Sequence, residues 1–231
     1  MLDAAFDALK TYDWGADPGL LGPIEEAIVA SHGDASAREK LETRLAAVLN
    51  DDVSRDAKDY VCRKLMVIGT AHSVPNLAQL LPDPALSHMA RYALERIPAA
   101  EAAEALRGAL ATLTGPLKIG VISSLGVRRE DESVAPLAKL LEDADSSVAR
   151  SAAYALGAIR SSAAAKALST AKPSEDVTPA ATDASLACAE GLLRAGDKSG
   201  ALAIYKRFAG GTQPQHVRVA ATRGVLACAG Q

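Results

Sequence analysis

Residues Asp131–Arg160, DESVAPLAKLLEDADSSVARSAAYALGAIR, decide the fold. Val134, Leu137, Leu140 and Leu141 recur there at helical spacing, with Lys139, Glu142 and Asp143 on the other side. Asp145-Ser146-Ser147 breaks that pattern and offers side-chain oxygens to the free N–H groups of a second helix. The second helix carries Val148, Ala152, Ala155, Leu156 and Ile159 on one face, flanked by Arg150 and Ser151. Two helices this short cannot bury such stripes against each other alone. They need similar neighbours on both sides.

The same pattern recurs in both directions. With SVARSAAYALGAI (147–159) as template and Leu156 as anchor, SHMARYALERI (87–97) puts Leu94 at the anchor and LKIGVISSLGV (117–127) puts Leu125 there. AKDYVCRKLMVIG (57–69) supplies Leu65; the looser copies TDASLACAEGLL (182–193) and VRVAATRGVLACAG (217–230) supply Ala189 and Val225. The anchors are 29, 31, 31, 33 and 36 residues apart. A drifting period near thirty, one hairpin per period, predicts an all-α fold: an α-solenoid of six hairpins stacked into a right-handed curved array.

The predicted organisation is an N-terminal helical cap over 1–36 and a single repeat array over 37–231. In the cap, Leu2, Ala5, Phe6 and Leu9 make a short amphipathic helix, and a second helix spans about 20–32, closed by Gly33 at a left-handed position. Phe6 and Trp14 are expected to pack this cap, ligand stacking being the alternative for Trp14. The six hairpins are 37–49 with 54–69, 72–81 with 85–97, 100–113 with 116–127, the opening stretch, 162–170 with 180–194, and 198–209 with 215–229. The chain stops at Gln231 just after an apolar helix end, which favours further repeats or flanking domains in a longer parent chain.

Composition agrees with this reading and excludes others. Of 231 residues, 49% are hydrophobic but only 3% aromatic, and alanine, the best helix former, is abundant. The net charge is −3, from 25 basic and 28 acidic residues spread along the chain, so no nucleic-acid partner is expected. The N-terminus MLDAAFDALK has acidic residues and no long apolar run, which excludes a signal peptide or membrane span there. Solubility follows, but no compartment.

Motifs for chemistry are scarce. Cys62, Cys188 and Cys228 are far apart and fall on inner helix faces among Ala, Val and Leu, where cysteine acts as a small hydrophobe. His32, His72, His88 and His216 form no HxxxH or HExxH pair, so no metal is expected. There is no GxSxG, Walker loop or GxGxxG, and no cofactor is expected. Glu25-Glu26, Asp51-Asp52 and Arg128-Arg129 sit where helix caps and dipoles favour their charges.

PLAKLLEDADSSVARSAAYALGAI and NLAQLLPDPALSHMARYALERI resemble bacterial HEAT repeats of the short, PBS-lyase-like type: an amphipathic helix, an Asp-containing turn, a Val-Arg-like start and an Ala-Leu-Gly finish. The resemblance runs from about Ala37 to Gln231. It implies that first helices form a convex side and second helices line a concave one. It also implies a non-catalytic scaffold that binds a protein partner of unknown identity. The family's enzymes supply the alternatives, bilin lyases and HEAT-like alkylpurine DNA glycosylases. Both are disfavoured, since no residue specifically supports bilin handling and the glycosylases resemble strongly basic, tryptophan-bearing solenoids.

A candidate binding ladder follows from aligning the second helices. The position of Tyr154 reads Arg63, Tyr92, Ser123, Tyr154, Ala187 and Arg223; one turn earlier it reads Asp59, His88, Ile119, Arg150, Asp183 and Val219. Tyrosine and arginine are enriched at protein–protein hot spots, so Arg63, His88, Tyr92, Arg150, Tyr154 and Arg223 are the candidate contact residues. The alternative is structural: tyrosines covering gaps between repeats, and Arg150 bonded to an adjacent turn.

Overall fold

Helices and short 3-10 turns make up all the regular structure of residues 1–230, which the computed structural model describes; Gln231, the last residue of the expected array, lies outside them. No strand occurs among the described residues, and none of their helices is long and apolar enough to cross a membrane. The fold is all-α and built from stacked helical hairpins. The chain divides into two compact units, Met1–Leu113 and Thr114 onward. The division falls between the two helices that the sequence pairs as the third hairpin.

The first unit contains α1 (Leu2–Lys10), α2 (Gly22–Ala30), α3 (Ala35–Val48), α4 (Arg55–Ile68), α5 (Val74–Ala78), α6 (Ser87–Arg96) and α7 (Ala100–Ala109). Two of its helices, α3 and α4, start where side chains cap them: Asp34 accepts from the Ala37 amide at 3.0 Å, and Ser54 Oγ accepts from the Ala57 amide at 3.0 Å. Gly33 adopts φ +82°, as its position after α2 predicts. Leu9, Ile24, Leu45, Leu65, Leu77, Leu94 and Leu106 are completely buried. One charged side chain joins them. Glu42 of α3 is 1% exposed and accepts hydrogen bonds from the Thr70 amide (2.7 Å) and hydroxyl, and from the Ser73 amide (3.1 Å) and hydroxyl. The carboxylate thereby caps the 3-10 turn Ala71–Ser73 and locks the start of the second hairpin onto the first.

The second unit contains α8 (Gly115–Arg128), α9 (Val134–Lys139), α10 (Ser146–Ile159), α11 (Ser162–Thr170), α12 (Thr178–Arg194), α13 (Lys198–Phe208) and α14 (Gln215–Ala229). The template helix α10 lies between α8 and α12. Its N-cap is Asp145, whose carboxylate accepts from the Ser147 amide at 2.8 Å. Leu125, Leu156 and Ala189 are fully buried; Val225 is only half-buried against the cluster formed by Leu186, Ala189, Tyr205, Phe208 and Val217. The glycine after the anchor leucine explains the Leu-Gly pair of the repeat. A Cβ on Gly126 would stand 2.8 Å from Ala155 Cα, and one on Gly157 would stand 2.8 Å from Ala184 Cα. Each absent methyl lets the next second helix approach to backbone distance.

Two expectations require correction. Phe6 packs the cap at 5% exposure, but Trp14 is 91% exposed. It sits in the turn between α1 and the 3-10 turn Pro18–Leu21, where Asp13 and Gly15 bend the backbone and the side chain projects outward. Cys62 and Cys188 are buried as expected, whereas Cys228 is only half-buried near the end of α14.

Candidate protein-interaction surface

In the first unit the aligned residues of α4 and α6 come together. Asp59, Cys62, Arg63 and Met66 of α4 face His88, Met89, Tyr92 and Ala93 of α6 across a cleft of about 240 Å³. Arg63 Nη2 meets Asp59 Oδ2 one turn earlier at 2.7 Å, while most of the arginine side chain stays in solvent. The His88 and Tyr92 rings lie 5.9 Å apart, and Arg91 Nη2 lies 3.4 Å from His88 Nδ1. Tyr92 is 46% exposed.

A broader hollow of about 580 Å³ adjoins this cleft and shares Asp59, Arg63 and Met89 with it. Tyr12, Trp14 and Pro18 of the cap turn line its other side. The turn is held firmly. The Ser54 hydroxyl donates to the Tyr12 carbonyl, the Tyr12 and Tyr60 rings lie 6.3 Å apart, and the Ala16 amide donates to the Asp13 carbonyl at 3.0 Å. Burial in this packing pushes the Tyr60 hydroxyl above its ordinary range, with Glu25 adding to the effect. An exposed tryptophan therefore stands on an ordered backbone beside arginine, methionine and tyrosine. These are residue types that interfaces favour.

In the second unit Arg150, Tyr154 and Arg223 occupy their expected helices. Tyr154 is 58% exposed, Arg223 is exposed, and Arg150 is half-buried. Arg150 Nη1 lies 3.7 Å from Asp176 Oδ2 in the loop before α12, the adjacent-turn contact that the sequence left as its alternative. The same loop is tied down by the Lys172 amide, which donates to Glu142 at 2.8 Å, and by the Ser174 hydroxyl, which donates to Asp176 at 2.6 Å. The Ser174 hydrogen bond is the main reason that the Asp176 carboxyl is held below its usual range, with Ser146 and Arg150 contributing.

The buried groups are disposed for stability. Burial pushes the Cys62 thiol up to about 12 and the Cys188 thiol up to about 11, so both stay protonated near neutral pH and neither is an activated nucleophile. Among the described residues no group of three or more His, Cys, Asp or Glu side chains is placed to hold a metal ion. Sequence reasoning missed Trp14 as a surface residue, Met89 as a cleft wall and Glu42 as a buried cap.

Residues 115–187 match the family model described as HEAT repeats. The matched stretch contains the whole of Asp131–Arg160. No curated protein matches the chain. Similar solved structures include an engineered protein, 20% identical over 99% of this chain and 68% of that one, with a TM-score of 0.46. A designed armadillo repeat protein is 19% identical over 80% of this chain and 98% of its own, with a TM-score of 0.43. Human deoxyhypusine hydroxylase, in complex with glycerol, is 18% identical over 100% of this chain and 96% of its own, with a TM-score of 0.39.

Proposed function

We propose that this chain is a non-catalytic scaffold of short, PBS-lyase-like HEAT repeats behind an N-terminal cap, and that it binds a protein partner through the exposed faces of its second helices. The observation that carries this reading is the grouping of exposed Trp14, Arg63, His88 and Tyr92 around two adjoining hollows in the first unit. The surface offers what a protein contact needs: large aromatic side chains and an arginine, on elements already fixed by hydrogen bonds and packing.

The test is affinity capture from the source organism, with identification of retained proteins by mass spectrometry, run in parallel on the wild-type chain and on Arg63→Ala/Tyr92→Ala. A true partner is retained by the wild type and binds the double variant more weakly by about 1–4 kcal/mol, with unchanged thermal unfolding. Equal retention by both forms would refute the assignment of the α4–α6 face. Turnover of a bilin, or release of an alkylated base from duplex DNA, would refute the non-catalytic reading.

A further inference from the structure

The partner's chemistry can be read from the charges around Trp14. The first unit presents three adjacent inter-helix turns, residues 11–17, 49–54 and 81–86, which contain Asp13, Asp17, Asp51, Asp52 and Asp83 and no lysine or arginine. Their adjacency is structural. The Ser54 hydroxyl donates to the Tyr12 carbonyl, joining the first turn to the second, and Arg55 Nε donates to the Ala85 carbonyl at 3.3 Å, linking the second to the third. The two cations that line the hollow are already occupied: Arg55 lies 3.2 Å from Asp56, and Arg63 lies 2.7 Å from Asp59. None of the five turn aspartates forms an ion pair among the described residues.

Trp14 rises from this acidic edge. Asp13 and Asp17 flank it in the chain, and 91% of the residue is open to solvent. An indole face attracts a lysine or arginine head group through its quadrupole, and nearby carboxylates strengthen the attraction. A neutral or acidic partner would leave the carboxylate row uncompensated or repelled. Resting on the scaffold reading above, we propose that the hollow beside Trp14 takes a basic segment of the partner. One lysine or arginine side chain stacks on the indole, and neighbouring cations meet the aspartate row.

The test uses the full chain and two fluorescein-labelled synthetic peptides, one of alternating lysine and alanine and one of alternating glutamate and alanine. Binding is read by fluorescence anisotropy at low and moderate salt. The lysine peptide binds, weakens as salt rises, and shifts the emission of Trp14, the only tryptophan in the chain; the glutamate peptide does not bind. Trp14→Ala weakens binding by about 3–30-fold without moving the unfolding transition. Asp51→Asn/Asp52→Asn also weakens it, whereas Glu101→Gln/Glu104→Gln, the same charge change on exposed positions of α7, leaves it unchanged. Equal binding of both peptides, no binding of either, or an unaltered affinity in Trp14→Ala would overturn the proposal. If the lysine peptide fails while Arg63→Ala/Tyr92→Ala still loses the captured partner, the basic-segment inference falls and the scaffold reading stands. If the double variant also keeps its partner, both fall.

Discussion

Gly157 gives the sharpest test of how the second helices pack. A methyl group placed on it by Gly157→Ala would stand 2.8 Å from Ala184 Cα and 2.9 Å from Ala184 Cβ. Comfortable carbon–carbon contact begins about 3.5 Å apart, so the overlap is more than half an ångström. The atoms it meets belong to the backbone and first carbon of α12, which cannot swing aside as a long side chain would. Relief requires α10 and α12 to separate, opening a seam lined by Leu156, Ala184 and Cys188. Overpacking of this kind costs about 2–3 kcal/mol, while replacing a mid-helix glycine by alanine returns about 1 kcal/mol. The net loss is about 1–2 kcal/mol. Gly108 in α7 is the control, because a Cβ there meets nothing within 4 Å. Gly108→Ala keeps only the propensity gain and is more stable than wild type by about 0.5–1 kcal/mol. Urea unfolding followed by circular dichroism measures both, with the sign carried by the midpoint and the slope unchanged. If the two units unfold separately, each substitution moves only its own transition. A Gly157→Ala protein as stable as wild type, or a destabilised Gly108→Ala protein, would refute the close-approach account of the Leu-Gly pair.

Three further outcomes follow from single residues. Glu42→Ala strands at least the buried Ser73 amide and hydroxyl and lowers stability by about 2–4 kcal/mol, while Glu42→Gln, which keeps one acceptor oxygen, loses less; little or no loss for Glu42→Ala in urea unfolding would refute the buried cap. Arg129 closes α8 at φ +57° with an exposed side chain, so Arg129→Gly relieves backbone strain and raises the midpoint by the equivalent of up to about 1 kcal/mol; a lower midpoint contradicts this. The buried thiols set a basic limit. Because their folded values are raised, to about 12 for Cys62 and about 11 for Cys188, their contribution is complete below the ordinary thiol range and is lost as pH rises through it towards those values. Cys62→Ala, although weaker at neutral pH, therefore loses stability less steeply above about pH 9, by up to about 1.4 kcal/mol per pH unit. Parallel slopes would show that the Cys62 thiol ionises equally in both states.

The hairpins were legible in part because several helices state their own starts. Asp34, Ser54, Asp145, Ser161 and Asp197 all cap the helices that follow them, and the cap side chain is encoded beside the backbone groups it serves. Leu65, Leu94, Leu125 and Leu156 were legible as core because a 3.6-residue period aligns each of them with the other apolar residues of its helix. Val225 belonged to the same register but is half-buried, since its exposure depends on what covers the outer side of α14. That is a relation between elements and has no local signature. Glu42 escaped for the same reason. In α3 it reads as one more surface charge among Arg38, Glu39, Lys40 and Arg44, and only the return of the chain at Thr70–Ser73, some thirty residues later, turns it into a buried cap.

The candidate interaction surface divides along the same line. Repeat alignment could place Arg63, His88 and Tyr92 on equivalent faces because their helices are equivalent, and α4 and α6 do bring them to one cleft. It could not place Trp14, which lies outside the repeat in a turn where no period operates. A tryptophan beside a short amphipathic helix ordinarily packs, since burying its rings removes a large apolar area from water. Here Asp13 binds the Trp14 amide at 2.8 Å and Gly15 takes φ +84°, so the turn is closed by backbone and carboxylate contacts and the indole is not needed to hold it. The local chemistry that frees the ring also surrounds it with acid, because aspartate and glycine are among the residues that favour tight turns. The acidic edge therefore arises first as turn chemistry in three neighbouring loops, and stacking the hairpins brings those loops side by side. A solenoid repeats its turns along one edge, so a residue bias that serves folding in each turn becomes a charge pattern that a partner can read across several.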